Sequence, residues 1–174
     1  MKDIMQTNIQ NFINLINQLI IHLNRIPESE YGKKLQTLGN SSIGEHVRHI
    51  YNFPECLLRG IQTGVVNYDK RIRNTQIETN REYAIKCLLE QTGYIINLDH
   101  YSNKPLVLEV EAKENSPRID TNLTRELHYI IEHTIHHMAI LRIGMNFHFP
   151  SLEIEGSFGF AYSTLEYKNL TSQT

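Results

Sequence analysis

Apolar positions return at helical spacing in four stretches of this chain, with polar connections between them. The first runs from about Ile4 to Asn24, where Ile9, Phe12, Ile13, Ile16, Leu19, Ile20 and Leu23 share one broad face and Pro27 follows soon after. Glu28 to Ser41 carries charge, two glycines and no sustained period, and reads as a connection. Ser42-Ile43-Gly44-Glu45 has the S-x-x-E form of a capping box, in which the serine hydroxyl takes an orphan backbone N–H and the glutamate reaches back to the cap. It opens a second helix with Ile43, Val47, Ile50, Leu57, Leu58 and Ile61 as its stripe, and Pro54 is expected to kink or interrupt it. Asn67 to Glu78 reads as a polar, charged connection.

Thr79-Asn80-Arg81-Glu82 is a second capping box, and it opens a third helix with Ala84, Cys87, Leu88, Gln91, Ile95 and Leu98 on one side. Leu106 to Glu111 alternates imperfectly and predicts a short strand, paired as a hairpin with Arg118 to Thr121. Asp120, Thr121 or Asn122 caps a fourth helix that ends near Asn146, before Pro150. The tail, with Phe158, Phe160, Tyr162, Leu165 and Tyr167, is aromatic enough to fold back on the helices. The expectation is an all-α four-helix bundle with a short β excursion between helices 3 and 4, as a single domain over residues 1–174.

Composition narrows the function classes. The formal net charge is -2, with 17 Lys+Arg against 19 Asp+Glu and no basic run, which leaves no electrostatic footprint for nucleic acid. The apolar stretches are broken by Asn, Gln, His and Arg well short of the ~20 residues a membrane span needs. Without a charged start and apolar signal core, a cytoplasmic, soluble protein is expected. Cys56 and Cys87 form no C-x-x-C and read as buried thiols. No Gly-rich phosphate loop or internal repeat is present.

The candidate chemistry lies in Leu127 to Asn146, LHYIIEHTIHHMAILRIGMN, which holds four of the nine histidines. His133 and His137 are four residues apart, one helical turn plus about 40°, so both imidazoles leave one face, near enough to share an ion. They border the apolar stripe, whereas His136 and His128 lie roughly 160° and 120° from its centre. Thr134 stands where H-E-x-x-H needs a glutamate, so this is no zincin motif, and a third ligand must come from elsewhere. The second helix offers His46 and His49, of which His46 lies nearer its stripe by roughly 60°. Glu126, one heptad before His133, reads as a solvated surface glutamate, with a role beside the histidines as partner or base as the alternative.

Ser42 followed seven residues later by His49, in SIGEHVRHI, resembles the second-helix signature of the DinB/YfiT-like metalloenzyme family, and EHTIHHMAI resembles its last-helix H-x-x-x-H. The resemblance extends from the first helix to the end of the fourth. It implies an up-down-down-up bundle, frequent homodimers, and a divalent ion such as zinc or nickel held by His49, His133 and His137; the wheel, which favours His46, keeps that residue as the substitute for His49. It also implies metal-dependent hydrolase or thiol S-transferase activity on a small molecule. The Tyr68-Asp69-Lys70-Arg71 loop resembles that of a DinB-like subgroup, with no role attached.

Three neutral imidazoles leave the ion its full charge and an open position, which suits activation of water, polarisation of a carbonyl or stabilisation of a thiolate. Two other readings compete. In one the ion only locks the helices together. In the other the chain is a metal-free helical bundle that serves as an interaction or dimerisation module without catalysis.

Overall fold

A computed structural model describes residues 4–101 and 103–171. The chain is mostly helical, with one small sheet. In order it forms α1 (Ile4–Leu23), α2 (Glu28–Tyr31), a 3-10 turn at Gln36–Leu38, α3 (Ile43–Thr63), β1 (Val65–Val66), α4 (Thr75–Thr79) and α5 (Arg81–Ile96). A second 3-10 turn (Asn97–His100), β2 (Pro105–Glu109), β3 (Arg118–Asn122), α6 (Leu123–His148) and α7 (Tyr162–Thr171) follow. The long helices α1, α3, α5 and α6 close a ring of contacts, α1 and α3 each packing on both α5 and α6. Phe12, Ile16 and Leu19 of α1, Val47 and Leu57 of α3, Leu88 of α5 and Leu127 and Met138 of α6 meet inside, all fully buried or nearly so. Each such side chain contributes roughly 1.5–3 kcal/mol on burial, which holds helices whose isolated propensity is weak.

The capping box at Ser42 is formed as expected: its hydroxyl accepts from the Glu45 N–H at 3.0 Å, and the Glu45 carboxylate accepts from the Ser42 N–H at 2.8 Å. α3 then runs as one helix through the buried Pro54, so of the expected kink or interruption the interruption does not occur. The missing hydrogen bond costs ~3 kcal/mol in an isolated helix. Burial of Ile50, Phe53 and Leu57 around it, at roughly 1.5–3 kcal/mol each, offsets that cost.

Two connections hold more structure than expected. Glu28 to Ser41 contains α2 and the first 3-10 turn, and Tyr31 within it is fully buried, its hydroxyl donating to the Ile77 carbonyl at 2.8 Å. Asn67 to Glu78 contains most of α4, capped by Asn74 and anchored by buried Ile77. One buried residue per short element leaves no period to read. Gly44 sets this corner, because a Cβ there would collide with the Glu78 carbonyl at the end of α4. The second capping box is not formed. Thr79 ends α4, its hydroxyl donating to the Thr75 carbonyl, so Asn80 caps α5 by accepting from the Tyr83 N–H at 2.8 Å.

The hairpin is present, with β2 antiparallel to β3 in a register that pairs Val107 with Asp120. β1 adds to it in parallel, Val65 opposite Val107. Gly60 lets β1 cross close over α3, since a Cβ would lie 2.6 Å from the Val66 side chain. Asn122 is the cap of α6, which runs to His148, past the expected end at Asn146. The tail does fold back: Phe158 is fully buried with its ring 4.5 Å from that of His22, and Arg142 Nη1 donates to the Phe158 carbonyl. Both cysteines are buried and free. No helix among the described residues is long and apolar enough to cross a membrane.

Candidate metal centre

α3 and α6 pack face to face, which brings the histidines of both helices together. His49 Nε2 lies 2.8 Å from His133 Nε2, and the His137 ring centroid is 4.4 Å from that of His49 and 4.7 Å from that of His133. One ligand nitrogen from each of the three lies within 4.8 Å of the others, and all three residues are half-buried. These three could hold a metal ion. Tetrahedral bonds of ~2.0–2.1 Å place ligand nitrogens about 3.3 Å apart, between the 2.8 Å of the His49–His133 pair and the 4.8 Å within which all three lie.

His46 stands behind this group. Its Nδ1 is 3.0 Å from His137 Nδ1, so one of the two rings must donate an N–H to the other. With the proton on His137 Nδ1, that ring's Nε2 lone pair is free for an ion, the arrangement by which an outer hydrogen bond sets a ligand's tautomer. The wheel places His46 nearer the apolar stripe, but α6 lies across both histidines of α3, and His46 meets His137 while His49 meets His133. His128 and His136 are exposed, in keeping with their distance from the stripe.

Burial is the main cause that holds all three imidazoles neutral. His49 is pushed down to about 4 by burial, then by the neighbouring His133 and Arg71 charges. His133 falls to about 4 by burial, then His136 and Arg71, and His137 to about 3 by burial, then His49 and His133. An unfolded histidine titrates near 6.5, so between about 6.5 and 4 the unfolded chain binds more protons than the native one. Stability from these rings is therefore present above about 6.5 and is lost as pH falls towards 4. Thermal melts of chelator-treated protein should show Tm falling through that window, with a shallower fall in His133→Gln. The same slope in both proteins would assign the effect to other groups.

The aromatic side of the site comes from elements the sequence left without a role. The Phe53 ring stacks on His133 with centroids 3.9 Å apart, and on Tyr68 at 4.9 Å. Tyr129 lies 5.5 Å from Tyr68 and 5.8 Å from His133. Tyr68 opens the Tyr68-Asp69-Lys70-Arg71 loop, which Asn67 shapes by accepting from the Asp69 and Lys70 N–H groups and which Lys70 ties to Glu109 of β2. The Tyr68 hydroxyl donates to Glu126 Oε2 at 2.7 Å.

Glu126 corrects the expectation of a solvated surface residue. It is fully buried, and it also accepts from the Thr121 hydroxyl at 2.6 Å and from Arg125 Nη1 at 2.7 Å. No hydrogen bond joins it to a histidine among these contacts; it anchors the loop that carries Tyr68. The end of β3 and that loop fold over the first turn of α6, which an isolated helical wheel cannot foresee.

A cleft of about 200 Å³ opens beside the histidines, lined by Ser41, Glu45, His46, Arg48, His49 and His137. Larger hollows of about 480 Å³ along α1 and 360 Å³ between α3 and α5 are lined by none of the three histidines, so chemistry rather than size marks the site. No protein-family model matches this chain and no curated protein matches it, so its resemblance to a family rests on its own residues.

Proposed function

We propose that this protein is a divalent-metal-dependent enzyme of the DinB/YfiT-like type, a four-helix bundle of up-down-down-up order that acts on a small molecule as a hydrolase or thiol S-transferase, with zinc or nickel as its ion. The observation that carries the reading is the convergence of His49, His133 and His137 beside a cleft. The ring of contacts among α1, α3, α5 and α6 supports the bundle. A bound ion with neutral imidazole ligands would supply Lewis acidity, activating water near neutral pH or stabilising a thiolate.

The residues themselves do the holding. Burial keeps the three rings neutral, His46 orients His137, and Phe53 covers one face of His133. Glu45, the carboxylate on the cleft, is engaged by Lys34 at 2.6 Å and by the Ser42 N–H and stands outside the three residues close enough to share an ion. Elemental analysis of purified protein should find about one zinc or nickel per chain. Metal-loaded protein should then turn over ester or amide substrates, or transfer a low-molecular-weight thiol, and lose that activity with a chelator. Bound metal whose removal lowers only the melting temperature, across both substrate panels, would leave the ion a purely structural part.

A further inference from the structure

None of the six residues lining the cleft is apolar, so its occupant meets only polar groups and imidazole rings. Its volume is below the ~300–1,000 Å³ of pockets for drug-sized ligands, which restricts the occupant to a small molecule. Arg48, the residue before His49, forms one wall. Its side chain is only 17% exposed; Nη1 pairs with Glu78, and Nε is buried without a hydrogen-bond partner. A buried donor without a partner is costly, so the guanidinium gains by turning its Nε–H towards an acceptor in the cleft.

The surrounding charges favour an anion. Arg71 is held to the Tyr68 carbonyl at 3.0 Å, and Asp69, its ion-pair partner, is 3.9 Å away. Arg73, two residues on, is exposed. Arg48 pairs with Glu78, Arg71 with Asp69 and Lys34 with Glu45, and no carboxylate pairs with Arg73 among the described residues. Neutral imidazoles would add the uncompensated charge of an ion.

We infer that the substrate of this site carries a carboxylate or phosphate that Arg48 receives, while its reacting group faces His49 and His137. The inference deepens the metal-enzyme reading and rests on it. A planar guanidinium grips either anion through paired N–H donors. Arg48 thereby fixes the orientation of a molecule too small to be positioned by apolar contact.

Titration calorimetry of the metal-loaded full-length protein with succinate, inorganic phosphate and the uncharged succinamide tests this. One of the two anions should bind and succinamide should not, and Arg48→Gln should weaken the anion at least about tenfold with metal content unchanged. Succinate and phosphate read separately tell which anion is preferred. Arg48→Lys, which keeps the charge without the fork, should fall between the two. If Arg48→Gln does not fold, Arg73→Gln at its exposed position provides the second reading, a weaker anion with a shallower salt dependence. Equal binding of succinamide, no anion binding by metal-loaded protein, or unchanged affinity in the arginine variants that fold would each overturn the anion site while leaving the metal reading intact. Anion binding through Arg48 in a protein that takes up no metal would do the reverse.

Discussion

Replacing His133 with Ala is expected to cut bound divalent metal to near zero, while His128→Ala keeps it. His133 Nε2 is 2.8 Å from His49 Nε2 and belongs to the one set of three His, Cys, Asp or Glu residues found close enough to share an ion among the described residues. Two imidazoles on separate helices cannot replace the third bond without moving α3 against α6. His128 sits on the same helix but exposed, so it controls for loss of a surface imidazole. Metal content by elemental analysis after dialysis reads the difference, and equal retention in both variants would sink the assignment. The two histidines of α3 are distinguished in the same way. His49→Gln should lose the metal, whereas His46→Gln should weaken it about 10–100-fold, as removal of an outer hydrogen bond to a ligand does. Loss in the His46 variant with full retention in the His49 variant would make His46 the ligand.

Glu126→Ala is expected to cost ~2–4 kcal/mol of stability, because it leaves the buried Tyr68 hydroxyl and the part-buried Thr121 hydroxyl without their acceptor, while the exposed Arg125 turns to water. At ~2–4 °C per kcal/mol for a chain of this size, Tm should fall by roughly 10 °C. Tyr68→Phe removes one donor and keeps the stack on Phe53, so it should cost only ~1–3 kcal/mol. The metal bound per folded molecule should be unchanged in Tyr68→Phe, since the Glu126 contacts reach loop and strand rather than the histidines. Thermal melts followed by circular dichroism decide this. A drop in Tm of only a degree or two in Glu126→Ala would mean that the network is weakly coupled to the fold.

The helices and the cap at Ser42 were legible because their causes are local. A period of 3.6 in apolar positions selects the buried faces of α1, α3 and α6, and a serine three residues before a glutamate satisfies orphan N–H groups whatever surrounds them. The spacing of His133 and His137 is local in the same sense, since four residues on any helix share a face. α4 escaped notice because a single buried Ile77 makes no pattern, and Thr79, a plausible cap by its motif, was already spent closing that helix.

Which partners those faces meet is set by the way helices cross, and that depends on the whole packed core. In the sequence the helical wheel favoured His46 and the family resemblance His49; the seating of α3 on α6 put His49 opposite His133 and His46 behind His137. It also carried Tyr68 onto Phe53 and sealed Glu126, 58 residues away in sequence, beneath that loop. No motif or period in the sequence singles out Arg48, and only the approach of α4 and α6 makes it a wall of the cleft. Local rules thus determined which residues are helical and which histidines can act as a pair. The identity of the third imidazole and the charge around it are sums over contacts between distant segments, and those exist only once the chain has packed.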